Sequence, residues 1–148
     1  MLIALMGDSC VGKSAIAKLL QGRLDAAVFS GKDYLKLAKS ESAAAALFRQ
    51  KLAAAVSGGN LIYVISEKDQ LAFLPEGCVR ILVAAGLEQI KSRFAARMHG
   101  NLPAPVAAML ERKHGQFENS AYDLRIDTDS LTAEEACVEI LTAVERVI

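Results

Sequence analysis

The sequence has no net charge and no long apolar run, and each of these absences excludes a class of protein. Seventeen Lys and Arg residues balance seventeen Asp and Glu residues, so no overall field would draw the chain to nucleic acid or to an anionic membrane. Apolar residues make up 53% of the chain, yet no uncharged run approaches the length of about 20 residues that a membrane span needs. We therefore expect no nucleic-acid partner and no membrane segment, with any anion binding confined to a local site.

Cysteine is also scarce, and its placement excludes two kinds of stabilising site. Cys10, Cys78 and Cys137 are odd in number and widely spaced, and they form no CxxC or Cys/His pattern, so neither a disulfide framework nor a zinc site is indicated. The first residues lack the basic region and long apolar stretch of a secretory signal, because the apolar run 2–6 has only the length of a strand. We expect reduced thiols and a cytoplasmic location.

What the sequence does have is an alternation of short apolar runs with longer helix-like segments, which is typical of βα units on a parallel sheet. The runs are continuous, as expected when helices cover both faces of the sheet in a three-layer α/β/α arrangement. The predicted strands are 2–6, 26–29, 61–65, 79–84 and 124–127. The predicted helices are 13–24, one or two alanine-rich helices from 33 or 40 to 56, and then 86–98, 104–117 and 132–147. With 148 residues, the chain is expected to form one α/β domain.

The most specific motif follows the first predicted strand directly. Its eight residues fit the pattern G-x-x-x-x-G-K-[ST] in full and precede an amphipathic helix, which is the context that this phosphate-binding pattern requires. They are Gly7, Asp8, Ser9, Cys10, Val11, Gly12, Lys13 and Ser14. Glycines let backbone N–H groups turn toward phosphate oxygens, and the following helix adds its N-terminal dipole. We expect Lys13 to bridge the β- and γ-phosphates of a nucleoside triphosphate and the Ser14 hydroxyl to ligate Mg²⁺.

The wording of this loop, GDSCVGKS, resembles that of Rab-type small GTPases, but the rest of the chain does not support that interpretation. Such GTPases carry D-x-x-G after the third strand and N-K-x-D for guanine, and neither pattern occurs in this sequence. The segment SEKD at residues 66–69 only loosely resembles the second pattern.

The whole chain is better matched by the small P-loop kinases that include shikimate kinase, gluconate kinase and the nucleoside monophosphate kinases. It resembles them in the early phosphate loop, the acidic residue after the second strand, the arginine-containing helical hairpin and the final stretch YDLRIDTDSLTAEEA. The resemblance implies a five-stranded parallel sheet in the order 2-3-1-4-5, with a helical lid at about residues 93–117. It also implies transfer of a phosphoryl group from ATP and Mg²⁺ to a small acceptor.

The resemblance carries further site residues. Asp33 follows the second predicted strand, where kinases of the shikimate type place an aspartate that orients or deprotonates the acceptor hydroxyl; the alternative is a helix cap. Arg93 and Arg97 are four residues apart and share a helix face, so they match the lid arginines that stabilise the phosphoryl in flight; the alternative is a solvent-facing basic helix. Thr128 follows the last strand, where the family packs a loop against adenine; the alternative is a simple turn.

The acceptor and the presence of catalysis stay open on sequence alone. Arg49 is the only arginine between Arg23 and Arg80, whereas a nucleoside monophosphate acceptor needs a phosphate-binding arginine in this segment, so a small metabolite is favoured. The third strand ends at Ser66 with no aspartate, which suits the shikimate and gluconate kinase branch. The same missing aspartate also leaves open a nucleotide-binding regulatory module without an acceptor. The sequence does not indicate an oligomeric state.

Overall fold

Five parallel strands form one sheet in the computed structural model, which describes residues 1–147. The strands are β1 (Leu2–Met6), β2 (Ala27–Ser30), β3 (Leu61–Ile65), β4 (Val79–Ala84) and β5 (Leu124–Asp127). Their order in the sheet is β2-β3-β1-β4-β5, and every neighbouring pair is parallel. The α/β fold class and the 2-3-1-4-5 strand order are thus confirmed, and each strand lies within one residue of its predicted position.

Helices cover both faces of this sheet. They are α1 (Lys13–Leu24), α2 (Glu41–Ser57), α3 (Leu87–Arg97), α4 (Ala104–Lys113) and α5 (Ala133–Val147), with 3-10 helices at Asp33–Leu37 and Lys68–Phe73. None of the helices within residues 1–147 is long and apolar enough to cross a membrane.

The central strand β1 is buried on both faces, which explains its continuous apolar sequence. Its Ile3 and Leu5 side chains belong to a core cluster that includes residues of α1 and α5. Its remaining side chains belong to a second cluster on the other face, where Phe48 and Leu52 of α2 and Tyr63 of β3 are fully buried. Because side chains alternate along a strand, one buried strand serves both layers of the core.

Local hydrogen bonds fix where two of the helices begin. The hydroxyl of Ser40 accepts a hydrogen bond from the Ala43 N–H at 3.2 Å and caps α2. Before α5, Thr132 and Glu135 exchange hydrogen bonds of 3.0 and 3.1 Å, which confirms the capping box expected from their spacing.

The predicted helix 104–117 is wrong at its C-terminal end, because α4 stops at Lys113. Gly115 has a φ of 76°, in the left-handed region that ends a helix, and Phe117 is only 1% exposed. Burial of this aromatic ring in the α2-side core cluster turns the chain inward and outweighs the helical pattern. Residues 114–117, named here the exit turn, therefore pack against the sheet.

Candidate functional site

The phosphate loop, residues 7–14, connects the carboxyl end of β1 to α1 at the middle of the sheet. Its first residue, Gly7, is pressed against β4, since a Cβ built there would lie 2.2 Å from the Val83 carbonyl oxygen. Cys10 and Gly12 have φ values of 65° and 101°, so the backbone curls twice through the left-handed region. This curl turns the loop around the start of α1, where backbone N–H groups and the helix dipole favour an anion.

Lys13 is held in the middle of that curl. Its side chain is buried, and Nζ donates hydrogen bonds to the carbonyl oxygens of Gly7 at 2.5 Å and Asp8 at 2.6 Å. Burial lowers the pKa of Lys13 to about 8; the guanidinium of Arg97 also lowers it, whereas Asp8 and Cys10 oppose the shift. The ammonium group is thus positioned by the loop itself and retains a charge in neutral solution.

A cleft of about 350 Å³, named here the central cleft, opens beside Lys13. It reaches from the phosphate loop to the carboxyl ends of β2 and β3, with the side chain of Arg97 from α3 as a further wall. Its lining comprises Ser9, Cys10, Gly12, Lys13, Ser14, Ala15, Ser30, Gly31, Val64, Ser66 and Arg97. The cleft has room for phosphate groups at one end and for a small molecule at the other.

A second pocket, named here the side pocket, lies on the other side of the loop and has a volume of about 410 Å³. It is formed between the start of α1 and the segment that joins β5 to α5, with Arg93 and Thr128 in its wall. Val11, Gly12, Ala15 and Ile16 give it an apolar floor. A flat apolar ring with polar edges suits such a surface.

The structure separates the two arginines that the sequence grouped together. Arg93 is half-buried and donates to the carbonyl oxygen of Cys10 at 3.1 Å and to the hydroxyl and carbonyl oxygens of Thr128 at 3.2 Å. The Thr128 hydroxyl in turn lies 2.7 Å from the Val11 carbonyl oxygen, to which it donates. Arg97 is exposed and lines the central cleft, without a hydrogen-bond partner among residues 1–147. Arg93 therefore braces the loop, whereas Arg97 is available to a ligand.

Asp33 lies at the carboxyl end of β2, as expected, but its carboxylate is turned back toward the strand. Its Oδ2 accepts a hydrogen bond from the Ser30 N–H at 3.0 Å, and the residue is exposed rather than part of the cleft lining. It begins the 3-10 helix Asp33–Leu37, whose N-cap is Lys32, so the expected alternative of an aspartate cap before Tyr34 does not describe it.

Arg49 is engaged away from the central cleft. Its guanidinium donates to the Ala72 carbonyl oxygen at 3.0 Å and lies 4.7 Å from the centre of the Phe73 ring. The segment after β2 therefore offers no arginine to an acceptor phosphate.

The donor set fits a magnesium ion that arrives with a nucleotide. Within the described part of the chain, no three His, Cys, Asp or Glu side chains are close enough together to hold a metal ion. Mg²⁺ commonly keeps several waters and takes one or two protein oxygens together with substrate phosphates. The exposed hydroxyl of Ser14 in the central cleft is a ligand of this kind.

Sequence reasoning missed a cluster of contacts between the phosphate loop and the exit turn. The Asp8 carboxylate accepts hydrogen bonds from the Gly115 N–H at 2.8 Å and from Gln116 Nε2 at 3.3 Å. Gln116 also donates to the Ser66 carbonyl oxygen at 3.3 Å, and Lys113 pairs with Glu67 at 3.0 Å. Asp8 and Gln116 are more than one hundred residues apart, so no local pattern in the sequence signals the contact.

Solved structures with a similar fold include kinases of small molecules. A sugar kinase from Janibacter sp. HTCC2649 has a TM-score of 0.67 and 18% identity, with 97% of this chain and 94% of that chain covered. A gluconokinase from Sinorhizobium meliloti has a TM-score of 0.66 and 14% identity over 98% of this chain and 91% of that one. A shikimate kinase from Aquifex aeolicus has a TM-score of 0.58 and 19% identity over 98% and 96%.

The likeness is one of structure rather than of sequence. No protein-family profile matches the sequence, and no curated protein matches it. The strand order, the phosphate loop after β1 and the helical hairpin before β5 agree with the resemblance noted in the sequence. The chain has the fold of the small P-loop kinases represented by gluconokinase and shikimate kinase.

Proposed function

We propose that this protein is an ATP-dependent kinase that transfers the γ-phosphoryl group of Mg·ATP to a hydroxyl group of a small metabolite, with one domain binding both substrates. One observation carries this proposal. The central cleft joins the phosphate loop to the ends of β2 and β3, so a triphosphate held by Lys13 would place its terminal phosphate next to the space for an acceptor. A site that only held a nucleotide would not need the part of the cleft that lies beside β2 and β3.

The two pockets divide the nucleotide between them. The side pocket takes the base against its apolar floor, and Thr128 fixes the shape of that pocket through its bonds to Val11 and Arg93. The loop N–H groups and the helix dipole hold the phosphates. Mg²⁺, bound by Ser14 and phosphate oxygens, supplies positive charge that offsets the negative charge of the phosphates.

Lys13 and Arg97 carry the catalytic charge of this site. Phosphoryl transfer depends mainly on positioning and on stabilising the charge spread over the transferring oxygens. Lys13 lies on the loop side of the cleft and Arg97 on the hairpin side, so together they face the phosphoryl group from two directions. Arg93 supports this arrangement by holding the carbonyl oxygen of Cys10, and α3 and α4 act as the lid that excludes water.

Asp33 is the proposed group that orients the acceptor hydroxyl or receives its proton. Asp33 follows Lys32 at the carboxyl end of β2. It is two to three residues along the chain from Gly31 and Ser30, which line the cleft. Only Oδ2 bonds to the Ser30 N–H, which leaves Oδ1 without a partner among residues 1–147. Hydrogen bonds of a catalytic base are often unformed without substrate and tighten when the substrate binds, so the position of Asp33 outside the cleft lining is compatible with this role.

A small metabolite suits the acceptor end better than a nucleoside monophosphate. A nucleoside monophosphate acceptor needs a phosphate-binding arginine in the segment after β2, and the only arginine there is bound to Ala72 and Phe73. The cleft lining at this end consists of Ser30, Gly31, Val64 and Ser66, which suits a hydroxyl-bearing molecule. A non-catalytic nucleotide-binding module is the second candidate, favoured by the exposed position of Asp33 and by Ser66 at the end of β3.

The test is acceptor-dependent ADP release from Mg·ATP across sugar acids, shikimate-like polyols, amino alcohols and nucleoside monophosphates. Lys13→Ala is expected to abolish turnover. Asp33→Asn keeps an oxygen for the Ser30 N–H but removes the base, so it should lower kcat by at least about 100-fold while nucleotide affinity stays unchanged. Asp25→Asn, at the exposed far end of α1, is the matched control. Tight Mg·ADP binding without turnover on any acceptor would favour the non-catalytic module.

A further inference from the structure

Asp8, the second residue of the phosphate loop, carries a negative charge close to where phosphates would bind. A carboxylate there repels a nucleotide unless its charge is used elsewhere. In this structure Asp8 is half-buried, and both of its carboxylate oxygens are occupied by donors from the exit turn, residues 114–117. The carboxylate is thus fixed away from the central cleft, whose lining does not include it.

The exit turn is held so that its donors reach the Asp8 carboxylate. Gly115 adopts a φ of 76°, and its N–H donates to Asp8 Oδ2. The ring of Phe117 anchors one end of the turn in the core, and His114 Nε2 lies 3.1 Å from the Ala85 carbonyl oxygen at the other. The space left between the turn, the loop and β4 is only about 20 Å³, enough for a single water molecule.

The other end of Asp8 acts on the catalytic lysine. Its backbone carbonyl accepts a hydrogen bond from Lys13 Nζ at 2.6 Å, and its carboxylate raises the pKa of Lys13 against the lowering caused by burial and by Arg97. The groups that face Lys13 electrostatically are Asp8 and Cys10 from the loop and Arg97 from α3. Of these, the Asp8 carboxylate is the one also bonded to the exit turn.

We propose that Asp8 is a positioning residue whose carboxylate seats the exit turn of the helical hairpin against the phosphate loop. The proposal deepens the proposed function, on which it rests for the role of the loop as a nucleotide site. Docking of the hairpin and the position of the phosphate-binding lysine are then linked through one residue, because the Asp8 carbonyl oxygen also accepts a hydrogen bond from Lys13 Nζ.

Two variants of Asp8 separate its charge from its role as an acceptor. Asp8→Asn removes the charge but keeps an oxygen for the Gly115 N–H, whereas Asp8→Ala removes both. The first measurement is the Kd of Mg·ADP by calorimetry at neutral pH, with Asp25→Asn as control. Asp8→Ala separates the loop from the exit turn and should raise this Kd by at least about fivefold, because the Asp8 carbonyl oxygen that holds Lys13 Nζ is no longer fixed from the hairpin side.

Asp8→Asn keeps the oxygen that faces the Gly115 N–H, so its Kd should stay within about twofold of the wild type. The urea midpoint of each variant is measured beside the Kd. A role in stability alone would lower the midpoint of Asp8→Ala without changing its Kd, and that result would overturn the proposal.

The second measurement is amide hydrogen exchange in a peptide that covers the exit turn. Asp8→Ala should speed exchange of the Gly115 amide by at least about tenfold, whereas Asp8→Asn should leave it close to wild type. Unchanged exchange in Asp8→Ala would also overturn the proposal. Mg·ADP binding without turnover on any acceptor would reject the kinase and leave this inference standing, whereas a wild type that does not bind Mg·ADP at any pH would overturn both.

Discussion

At the scale of single residues, the phosphate loop is constrained by backbone that leaves no room for a side chain. A Cβ at Gly7 would lie 2.2 Å from the carbonyl oxygen of Val83, and that oxygen belongs to β4, which cannot move like a flexible side chain. Gly7→Ala should therefore lower the free energy of unfolding by about 2–3 kcal/mol, measured by urea unfolding. Gly22→Ala is the matched control, because nothing lies within 4 Å of a Cβ there and the residue is inside α1. It should raise the free energy of unfolding by roughly 0.5–1 kcal/mol.

The two arginines of α3 should also behave differently when each is replaced. Arg93→Met removes three hydrogen bonds to Cys10 and Thr128 and should lower the free energy of unfolding by about 2 kcal/mol. Arg97→Met should leave the urea midpoint unchanged, since Arg97 is exposed, but should lower kcat by at least about tenfold. Equal loss of stability in the two variants would contradict this division of roles.

At the scale of whole elements, the sequence predicted the regular parts of the fold and missed the parts set by distant contacts. The strand runs and α1 were found because burial on both faces and helical spacing are local signals. The end of α4 was missed because it depends on burial of Phe117 against the sheet, and the contact of Asp8 with Gly115 joins residues more than one hundred positions apart. Similarly, the four-residue spacing of Arg93 and Arg97 predicts a shared helix face. It does not reveal that Arg93, unlike Arg97, is hydrogen-bonded within residues 1–147.

The segment that joins β5 to α5 has used its backbone hydrogen-bond donors within the protein. The backbone N–H groups of residues 128–132 donate to Ala84, Asp127 and Glu135. The carbonyl oxygens of residues 129–131 accept no hydrogen bond within residues 1–147, and the donors left in this segment are the side-chain hydroxyls of Ser130 and Thr132. The backbone of the segment therefore offers acceptors to a nucleotide base.

A base with an exocyclic amino group should thus bind better than one with an oxo group at the same position. We expect the Kd of Mg·ADP to be about tenfold lower than that of Mg·IDP, measured by calorimetry. Ser130→Ala should preserve this ratio, because the discrimination comes from backbone carbonyl oxygens. Equal affinity for the two nucleotides would show that the base does not contact this segment.

At the scale of the whole molecule, nucleotide binding should stabilise the fold, because the loop joins β1 and α1 in the centre of the sheet. At Mg·ADP concentrations about 100 times the Kd, mass action adds about 2.7 kcal/mol to the free energy of unfolding. For a chain of this length, that should raise the Tm by roughly 5–10 °C in a thermal unfolding experiment. Lys13→Ala should show no such rise, whereas Asp25→Asn should match the wild type.

The central position of β1 also affects how the chain is made. On a ribosome β1 emerges before the other strands of this sheet, because its partner Leu61 is synthesised about sixty residues after Leu2 and the partners in β4 come later still. At synthesis rates of about 5–20 residues per second, the fully buried central strand of the sheet is without either neighbour for several seconds. Newly made chains are therefore most vulnerable to association with one another, and most in need of a chaperone, before β4 has emerged.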